Sequence, residues 1–257
     1  SWCREMEPGA REQLSHLADH PFAFHHIAVM PDCHEGYGMP IGGVLATEKV
    51  IIPNAVGVDI GCGMCAVKTS LERPQAERAK LERFLEAVRR AIPLGFNHHK
   101  RPQEERWMPP LENDMPIVER EYDSARHQVG TLGGGNHFIE VQYGDDGFVW
   151  LMVHSGSRNI GLKVAEHYNK VAGRENEKRG ERLPKNWQLD FLRLHTEEGE
   201  RYLREMRYCL AFAYNNRRLM MERIKEIFTD VFGPVGFAPL INIAHNYAEE
   251  EEHFGKK

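Results

Sequence analysis

Residues 56–64 read Val-Gly-Val-Asp-Ile-Gly-Cys-Gly-Met, which places an acid and a thiol three positions apart among glycines. Because glycine allows tight backbone turns, Asp59 and Cys62 can point at one ion. A carboxylate and a thiolate on one centre suit Zn²⁺, Mn²⁺ or Fe²⁺. The alternative interpretation of these residues alone is a strand end with a buried cysteine and a turn-forming aspartate.

The cysteines of the chain favour a reducing compartment. There are five of them, and an odd number does not indicate a disulfide framework, so reduced thiols in the cytoplasm are expected. Cys62 and Cys65 also form a Cys-x-x-Cys motif, which occurs in zinc sites and in redox pairs. Because no second such motif is present, Cys65 is interpreted as a small buried strand residue. The other cysteines are Cys3, Cys33 and Cys209.

A glycine-rich segment, Gly130–Glu140, provides the second group of candidate site residues. Its sequence is Gly-Thr-Leu-Gly-Gly-Gly-Asn-His-Phe-Ile-Glu. Three successive glycines allow close backbone approach, and their N–H groups can form an anion-binding nest. Asn136 adds donors for a phosphate oxygen, and His137 opens the next expected strand as a candidate metal ligand.

Two more polar clusters follow apolar strands. His154-Ser-Gly-Ser-Arg158 ends a strongly apolar run, and Arg158 can fork onto a phosphate. Asn242-Ile-Ala-His245-Asn246-Tyr247 follows a short strand in the same way. A lone strand-end histidine is usually satisfied locally, and Ser155 as a hydrolase nucleophile lacks the Gly-x-Ser-x-Gly context. Taken together, the four clusters predict one shared metal and phosphate site.

The order of expected elements favours an α+β fold over regular βαβ alternation. Apolar residues at i, i+3, i+4, i+7 and i+11 predict an amphipathic helix within 75–92, with its stripe in the core. Further helices are expected near 117–128, over 162–172, and as one or two long helices over 189–232. The residues of the long helices expected in the core are Leu192, Leu203, Met206, Leu210, Tyr214, Met221, Ile224 and Phe228. Strands are expected at 26–30, 64–68, 138–142, 148–153 and 240–243, with a Gly-Asp-Asp-Gly turn joining two of them. The Glu249–Glu252 run is interpreted as a solvated helix start.

The totals describe an ordinary globular chain. It has 257 residues, 41% hydrophobic and 28% charged, with a formal net charge of −5. A single domain over 1–257 is expected, with no apolar run of membrane-spanning length and no signal peptide. The charge gives no general nucleic-acid footprint, although local basic strips such as 100–106 and 174–182 remain candidates for phosphate contact. A solvated face is the favoured interpretation of both strips, because each is interleaved with glutamate.

Five motifs, in order along the chain, carry a family resemblance. They are MPDCHEGYGMPIGGV (30–44), VGVDIGCGM (56–64), GTLGGGNHFIEV (130–141), HSGSRNIG (154–161) and HNYAEEEEHFG (245–255). Together they resemble the RtcB-type RNA ligases, also called RNA-splicing ligases. The resemblance extends over essentially the whole chain, and several long motifs in family order are far more specific than one short pattern.

The resemblance implies a GTP- and Mn²⁺-dependent ligase that joins RNA 2′,3′-cyclic phosphate or 3′-phosphate ends to 5′-hydroxyl ends, in tRNA splicing or RNA repair. Two Mn²⁺ ions, with Zn²⁺ as a substitute, GTP, RNA and an activating helper protein are the implied cofactors and partners, in the cytoplasm and away from membranes. The implied fold is α+β, with mixed sheets and flanking helices around a central metal site.

The resemblance also assigns residues. Asp59, Cys62 and His137 match the ligands of one metal, and Cys62, His154 and His245 match those of a second, with Cys62 bridging. The implied guanylate contacts are Asn136, His137, Phe138, Ile139, Glu140, His245 and Asn246. The implied contacts with RNA phosphates or supports of the site are Asp32, His34 and Arg158.

One part of the family pattern is not matched. Family members continue beyond the His-Asn-Tyr motif, and the later part holds the histidine that accepts GMP. No His-Gly-Ala-Gly-Arg-like motif occurs in this sequence, so a chain truncated before the guanylate-binding part is expected. The alternatives are a metal-dependent phosphoesterase acting on cyclic phosphate ends, and an inactive fragment that retains the fold.

Overall fold

The computed structural model describes residues 1–256. Its α-helices are α1 Pro8–Ala18, α2 Pro53–Val56, α3 Arg78–Ala91, α4 Pro116–Gln128, α5 Arg158–Arg179 and α6 Glu197–Phe232. Its β-strands are β1 Ala23–His34, β2 Ile41–Thr47, β3 Val50–Ile51, β4 Gly63–Glu72, β5 Phe138–Tyr143, β6 Phe148–Ser155, β7 Leu192–Arg193 and β8 Ile241–Ala244. Helices and small antiparallel sheets are interspersed along the chain, which confirms the α+β class.

The residues group into two compact units. Among the described residues, the first comprises 1–58, 163–205 and 247–256, and the second comprises 59–162 and 206–246. This grouping does not test whether the chain folds as one domain, so a single domain over 1–257 stays a prediction.

The first unit contains two small sheets. β1 pairs with β2 and β3 pairs with β7, both antiparallel. α1 begins with Pro8, whose fixed backbone angle and missing N–H suit the first turn of a helix. The core of this unit contains Leu17, Val50, Ile52, Leu189 and Phe191.

The second unit is built on a four-stranded antiparallel sheet in the order β5-β6-β4-β8. One face of the sheet packs against α3 and the second half of α6. Phe84 and Val88 of α3 meet Ile224 and Phe228 of α6 in this core, so the stripe expected within 75–92 is confirmed. The Gly-Asp-Asp-Gly turn joins β5 to β6 as expected.

Three expectations differ from the structure. Residues 189–196 are not helical, although the sequence predicts a helix over 189–232. Leu192 instead pairs with Ile51 as part of β7 and is buried there as a strand residue. Tyr214, which helical spacing places in the core, lies on the solvent side of α6 and is 45% exposed. The acidic run 249–252 is exposed but forms no helix, since four adjacent carboxylates repel each other and bury nothing.

Among residues 1–256, no helix combines the length and the apolar character that a membrane span requires.

A core substitution tests the packing of α3 on α6. Phe84 is fully buried, and its ring meets Phe228 edge-on with centroids 5.3 Å apart. Because Phe84→Ala leaves a large cavity, we expect it to lower the free energy of unfolding by about 3–5 kcal/mol in urea denaturation followed by circular dichroism. Arg83→Ala, at an exposed position of the same helix, should change it by less than about 0.5 kcal/mol. Equal destabilisation of the two variants would contradict this packing.

Candidate metal centre

Strand pairing brings the four polar clusters to one end of the sheet. His154, near the end of β6, is paired with Met64 near the start of β4 and with Phe138 at the start of β5. Gly63 in turn pairs with Ala244, the last residue of β8. Antiparallel neighbours place the end of one strand beside the start of the next. Residues that directly precede β4 and β5 and directly follow β8 therefore meet His154.

The first group of convergent side chains contains Asp59, Cys62 and His137. The Nε2 atom of His137 lies 2.9 Å from Asp59 Oδ2 and 3.5 Å from Cys62 Sγ. One candidate donor atom from each residue lies within 4.8 Å of the others. This group combines carboxylate, thiol and imidazole donors.

The second group contains Cys62, His154 and His245. His154 Nε2 lies 3.2 Å from Cys62 Sγ and 3.3 Å from His245 Nε2, and the three donor atoms lie within 4.8 Å of one another. Cys62 and His154 are buried and His245 is exposed, so this group opens to solvent on one side. The Cys62 sulfur belongs to both groups.

These separations fit coordination of a metal ion. Ligands on a tetrahedral ion, with nitrogen at about 2.05 Å and sulfur at about 2.3 Å, lie about 3.4 Å apart for N–N pairs and about 3.6 Å for N–S pairs. The observed N–N separation is 3.3 Å, and the observed N–S separations are 3.2 and 3.5 Å. The cluster can therefore hold a metal ion without large movement of its side chains.

Backbone carbonyls orient two of the histidines. The Nδ1 of His137 donates to the carbonyl of Leu132 at 3.0 Å, and the Nδ1 of His154 donates to the carbonyl of Asn136 at 3.1 Å. When each ring is neutral with its proton on Nδ1, as metal binding requires, the lone pair of its Nε2 points into the cluster. Such outer hydrogen bonds fix ring orientation at metal sites.

The glycines around Asp59 and Cys62 are required by close backbone contacts. Gly61 adopts φ +74°, and a Cβ there would come within 2.9 Å of Ala213. A Cβ on Gly63 would lie 2.1 Å from the carbonyl of Ile243, where β8 pairs with β4. The glycines of this motif therefore allow β8 to pack close to β4, and they also allow the turn that places Asp59 and Cys62 side by side.

Two polar residues of α6 hold the backbone beneath the cluster. Arg217 donates to the carbonyls of Gly61 and Ser155 at 2.7 and 2.9 Å, and to Asn242 Oδ1 at 2.7 Å. Asn216 accepts from the N–H of Gly130 at 2.7 Å and also contacts the backbone of residues 131 and 156. Both side chains are almost fully buried.

Sequence reasoning missed Asn216 and Arg217, although a signal was present. The residues four positions before and after each are apolar and buried, namely Phe212 and Met220 around Asn216 and Ala213 and Met221 around Arg217. A buried polar side chain needs partners to offset its desolvation. Polar residues inside an apolar stripe therefore indicate a structural network, which here lies directly under the candidate ligands.

Burial and neighbouring charges tune the cluster. Burial alone would raise the pKa of the Asp59 carboxyl, but the hydrogen bond and charge of His137 outweigh it and hold this pKa below its usual value. Burial, reinforced by Asp59, raises the pKa of the Cys62 thiol far above its usual value. Burial lowers the pKa of His154, which keeps its imidazole neutral. Metal binding would therefore release the Cys62 proton.

Arg158 lies beside the cluster. Its Nε donates to Thr131 Oγ1 at 3.2 Å, and its Nη2 donates to the carbonyl of Gly95 at 3.4 Å. Burial lowers the pKa of this guanidinium, while the charges of Asp59 and Cys62 oppose that shift. The backbone of Arg158 has φ +60°, a sparsely populated region for a side-chain-bearing residue.

The other residues assigned by resemblance are placed as follows. Phe138 lies against the ring of His154, Glu140 is exposed, and Asn246 Nδ2 donates to the carbonyl of Asp59. Ile139 packs its side chain into the core, which leaves only its backbone for a ligand. Asp32 and His34 lie on β1 in the first unit and are exposed, outside both metal-capable groups of the described residues.

Burial of the reactive side chains excludes two alternative chemistries, which are nucleophilic attack by Ser155 and thiol chemistry of Cys65. Ser155 is fully buried, and its hydroxyl donates to the carbonyl of Leu132 at 2.8 Å, so it is not available as a nucleophile. Cys65 is fully buried in β4, and burial raises the pKa of its thiol to about 12. Cys65 is therefore the inert strand residue expected from the sequence, and all five cysteines are free thiols.

Ligand substitutions with Co²⁺ as a spectroscopic probe test the shared thiol. We expect Cys62→Ala to abolish the thiolate-to-cobalt charge-transfer band, because Cys62 is the only thiol in either group of described residues. His137→Ala and His154→Ala should each weaken one of two binding steps and spare the other. Cys65→Ala, which removes the neighbouring thiol of the same motif, should leave the band unchanged. A band that survives Cys62→Ala would contradict this assignment.

Comparisons with known proteins find relatives in one family. The family profile described as tRNA-splicing ligase RtcB matches residues 13–115 and 104–257. The RNA-splicing ligase RtcB of Escherichia coli K12 is 36% identical over 98% of this chain and 67% of its own length. The tRNA-splicing ligases RtcB of Thermococcus kodakarensis and Pyrobaculum aerophilum are 31% and 32% identical, over 94% and 88% of this chain and 61% and 57% of their own lengths.

The chain thus spans about two thirds or less of the length of these relatives. The profile covers nearly all of the chain, and the two ligand groups lie within the matched residues. On these grounds the chain belongs to the RtcB family.

Proposed function

We propose that this chain carries the two-metal centre of a GTP- and Mn²⁺-dependent RNA ligase, which joins 2′,3′-cyclic phosphate or 3′-phosphate ends to 5′-hydroxyl ends. The observation that carries the proposal is the pair of donor groups that share the Cys62 sulfur. The names of the relatives, RNA-splicing and tRNA-splicing ligases, support the reaction class. The five free cysteines suit the reducing cytoplasm as its compartment.

The arrangement suits phosphoryl transfer. Two divalent ions held by these groups would supply positive charge to the attacking and leaving oxygens of a phosphate. The chain itself adds Arg158, whose planar guanidinium can bind a phosphate through two hydrogen bonds. Arg158 is anchored by Thr131 and Gly95, so it is already oriented next to the cluster.

The glycine-rich segment and the residues after β8 supply candidate guanylate contacts. Gly134, Gly135 and Asn136 are exposed and directly precede His137. Asn246 is tied to Asp59 and lies one residue from His245. Backbone N–H groups of glycine turns are suited to bind the phosphates of a nucleotide. GTP would then lie across both sides of the ligand cluster, in contact with His137 on one side and His245 on the other.

Recognition of the RNA end is measurable without turnover. We expect the Mn²⁺-loaded chain to bind a short single-stranded RNA with a 3′-phosphate at least about tenfold more tightly than the same RNA with a 3′-hydroxyl, because charge-assisted phosphate contacts contribute about 1.5–3 kcal/mol. Isothermal titration calorimetry under reducing conditions measures both affinities and the number of Mn²⁺ ions, expected to be two. Cys62→Ala should remove the preference for the phosphate, whereas Cys65→Ala should retain it.

Product analysis separates the alternatives. Joining of a 2′,3′-cyclic phosphate end to a 5′-hydroxyl end in the presence of GTP supports the ligase. Hydrolysis of the cyclic phosphate without GTP and without joining would favour a metal-dependent phosphoesterase. A chain that binds no Mn²⁺ and shows no preference for a terminal phosphate would contradict both functions.

A further inference from the structure

Residues 93–101, Pro-Leu-Gly-Phe-Asn-His-His-Lys-Arg, form a loop that we call the Phe96 loop. The side chain of Phe96 is fully exposed, at 101% of its reference area, and Leu94 is 51% exposed. Burying an aromatic ring is strongly favourable, so a partner that covers this fully exposed ring would form a more stable complex. None of the roles assigned above to the metal centre uses this residue.

The Phe96 loop is fixed to the glycine-rich segment beside the metal centre. Gly95 N–H donates to the carbonyl of Gly133 at 2.7 Å, and Leu132 N–H donates to the carbonyl of Pro93 at 2.9 Å. Gly95 also accepts from Arg158 Nη2 at 3.4 Å. Three hydrogen bonds within three residues of Phe96 define its backbone position.

A single residue, Leu132, links this loop to a candidate metal ligand. The N–H of Leu132 binds Pro93, and its carbonyl accepts from Nδ1 of His137 at 3.0 Å. Phe96 therefore lies in a loop that is hydrogen-bonded to Leu132, and the carbonyl of Leu132 orients His137. Farther along, His99 binds the carbonyl of His127 through its N–H and the carbonyl of Gly130 through Nε2 at 3.1 Å.

The Phe96 loop is also positively charged. Lys100 and Arg101 are exposed, and the sequence from Pro93 to Gln103 contains no carboxylate. Within residues 1–256 neither cation takes part in an ion pair, whereas Arg106, the next basic residue, is paired with Glu104. An exposed aromatic ring followed four and five residues later by unpaired cations suits single-stranded nucleic acids, in which bases stack on aromatic rings and phosphates are held by cations.

We propose that the Phe96 loop binds the single-stranded RNA next to the reacting end, with a base stacked on Phe96 and backbone phosphates bound by Lys100 and Arg101. This inference rests on the proposed function, because it assumes that the metal centre acts on RNA. RNA is favoured over a protein partner because only Leu94 and Phe96 expose large apolar side chains in this loop and two unpaired cations follow them, whereas protein interfaces have a broader apolar core and few charges at their centre.

Fluorescence anisotropy with a short labelled RNA that ends in a 3′-phosphate tests the stacking contact on the Mn²⁺-loaded chain. We expect Phe96→Ala to weaken binding by roughly 5- to 100-fold, since it removes the ring on which one base stacks. Phe96→Trp should retain or improve the affinity. Tyr143→Ala, which removes another exposed aromatic ring from the same unit, is the matched control and should leave affinity unchanged.

The salt dependence of binding tests the cations separately. Lys100→Gln combined with Arg101→Gln should lower the slope of log affinity against log salt by about 0.7 for each phosphate that the protein no longer neutralises. Arg89→Gln combined with Arg90→Gln makes the same change of charge at exposed positions of α3 and should leave the slope unchanged. All these positions are exposed, so none of the variants disturbs buried packing.

The outcomes distinguish the inference from the proposed function. Wild-type binding that prefers the 3′-phosphate, together with equal affinities of Phe96→Ala and Tyr143→Ala, would overturn the role of the Phe96 loop and leave the proposed function standing. In that case the ring would instead mark a surface for a protein partner. Failure of the wild-type chain to bind RNA while it binds Mn²⁺ would overturn both.

Discussion

The pairing of β6 with both β4 and β5 is the constraint on which the candidate centre depends. Because both neighbours run antiparallel to β6, their first residues lie beside its last, and His154 meets Cys62 and His245, which lie 92 and 91 residues away in sequence. A slip of one residue in either pairing would turn His154 to the opposite face of the sheet. The missing Cβ of Gly63 allows β8 to approach β4, which brings His245 to the same end.

Arg217 shows how packing and chemistry are connected in this fold. Burying a guanidinium is costly, and the cost is offset only when its donors are satisfied. Here they bind the carbonyls of Gly61 and Ser155, which precede Cys62 and follow His154 by one residue each. The hydrogen bonds that satisfy Arg217 therefore also fix the spacing of two candidate ligands. Asn216 does the same for the glycine-rich segment through Gly130. A rigid layer of this kind keeps the side chains that bind a ligand in place.

Sequence patterns predict the parts of this structure that depend on local periodicity or on unusual residue combinations. The stripe of α3, the hairpin of β5 and β6, and the grouping of Asp59, Cys62 and the three histidines belong to this class. Sequence reasoning assigns Leu192 to a helix because a two-residue strand has no detectable period, and its state is set by pairing with Ile51. The position of Phe96 is also beyond sequence reasoning, because exposure of a single ring depends on which residues the rest of the fold brings near it.

The backbone of Leu132 connects the orientation of a candidate ligand with the placement of the Phe96 loop. Its carbonyl accepts from His137 Nδ1 and from the hydroxyl of Ser155, while its N–H binds Pro93. These two groups belong to successive rigid peptide planes that meet at the Cα of Leu132. A ligand that shifts the Phe96 loop can therefore also shift the acceptor that fixes the His137 ring, to the extent that φ and ψ of Leu132 do not absorb the movement. Rotation of that ring would move Nε2 relative to Asp59 and Cys62, and the affinity of the first group for a metal ion would change with it.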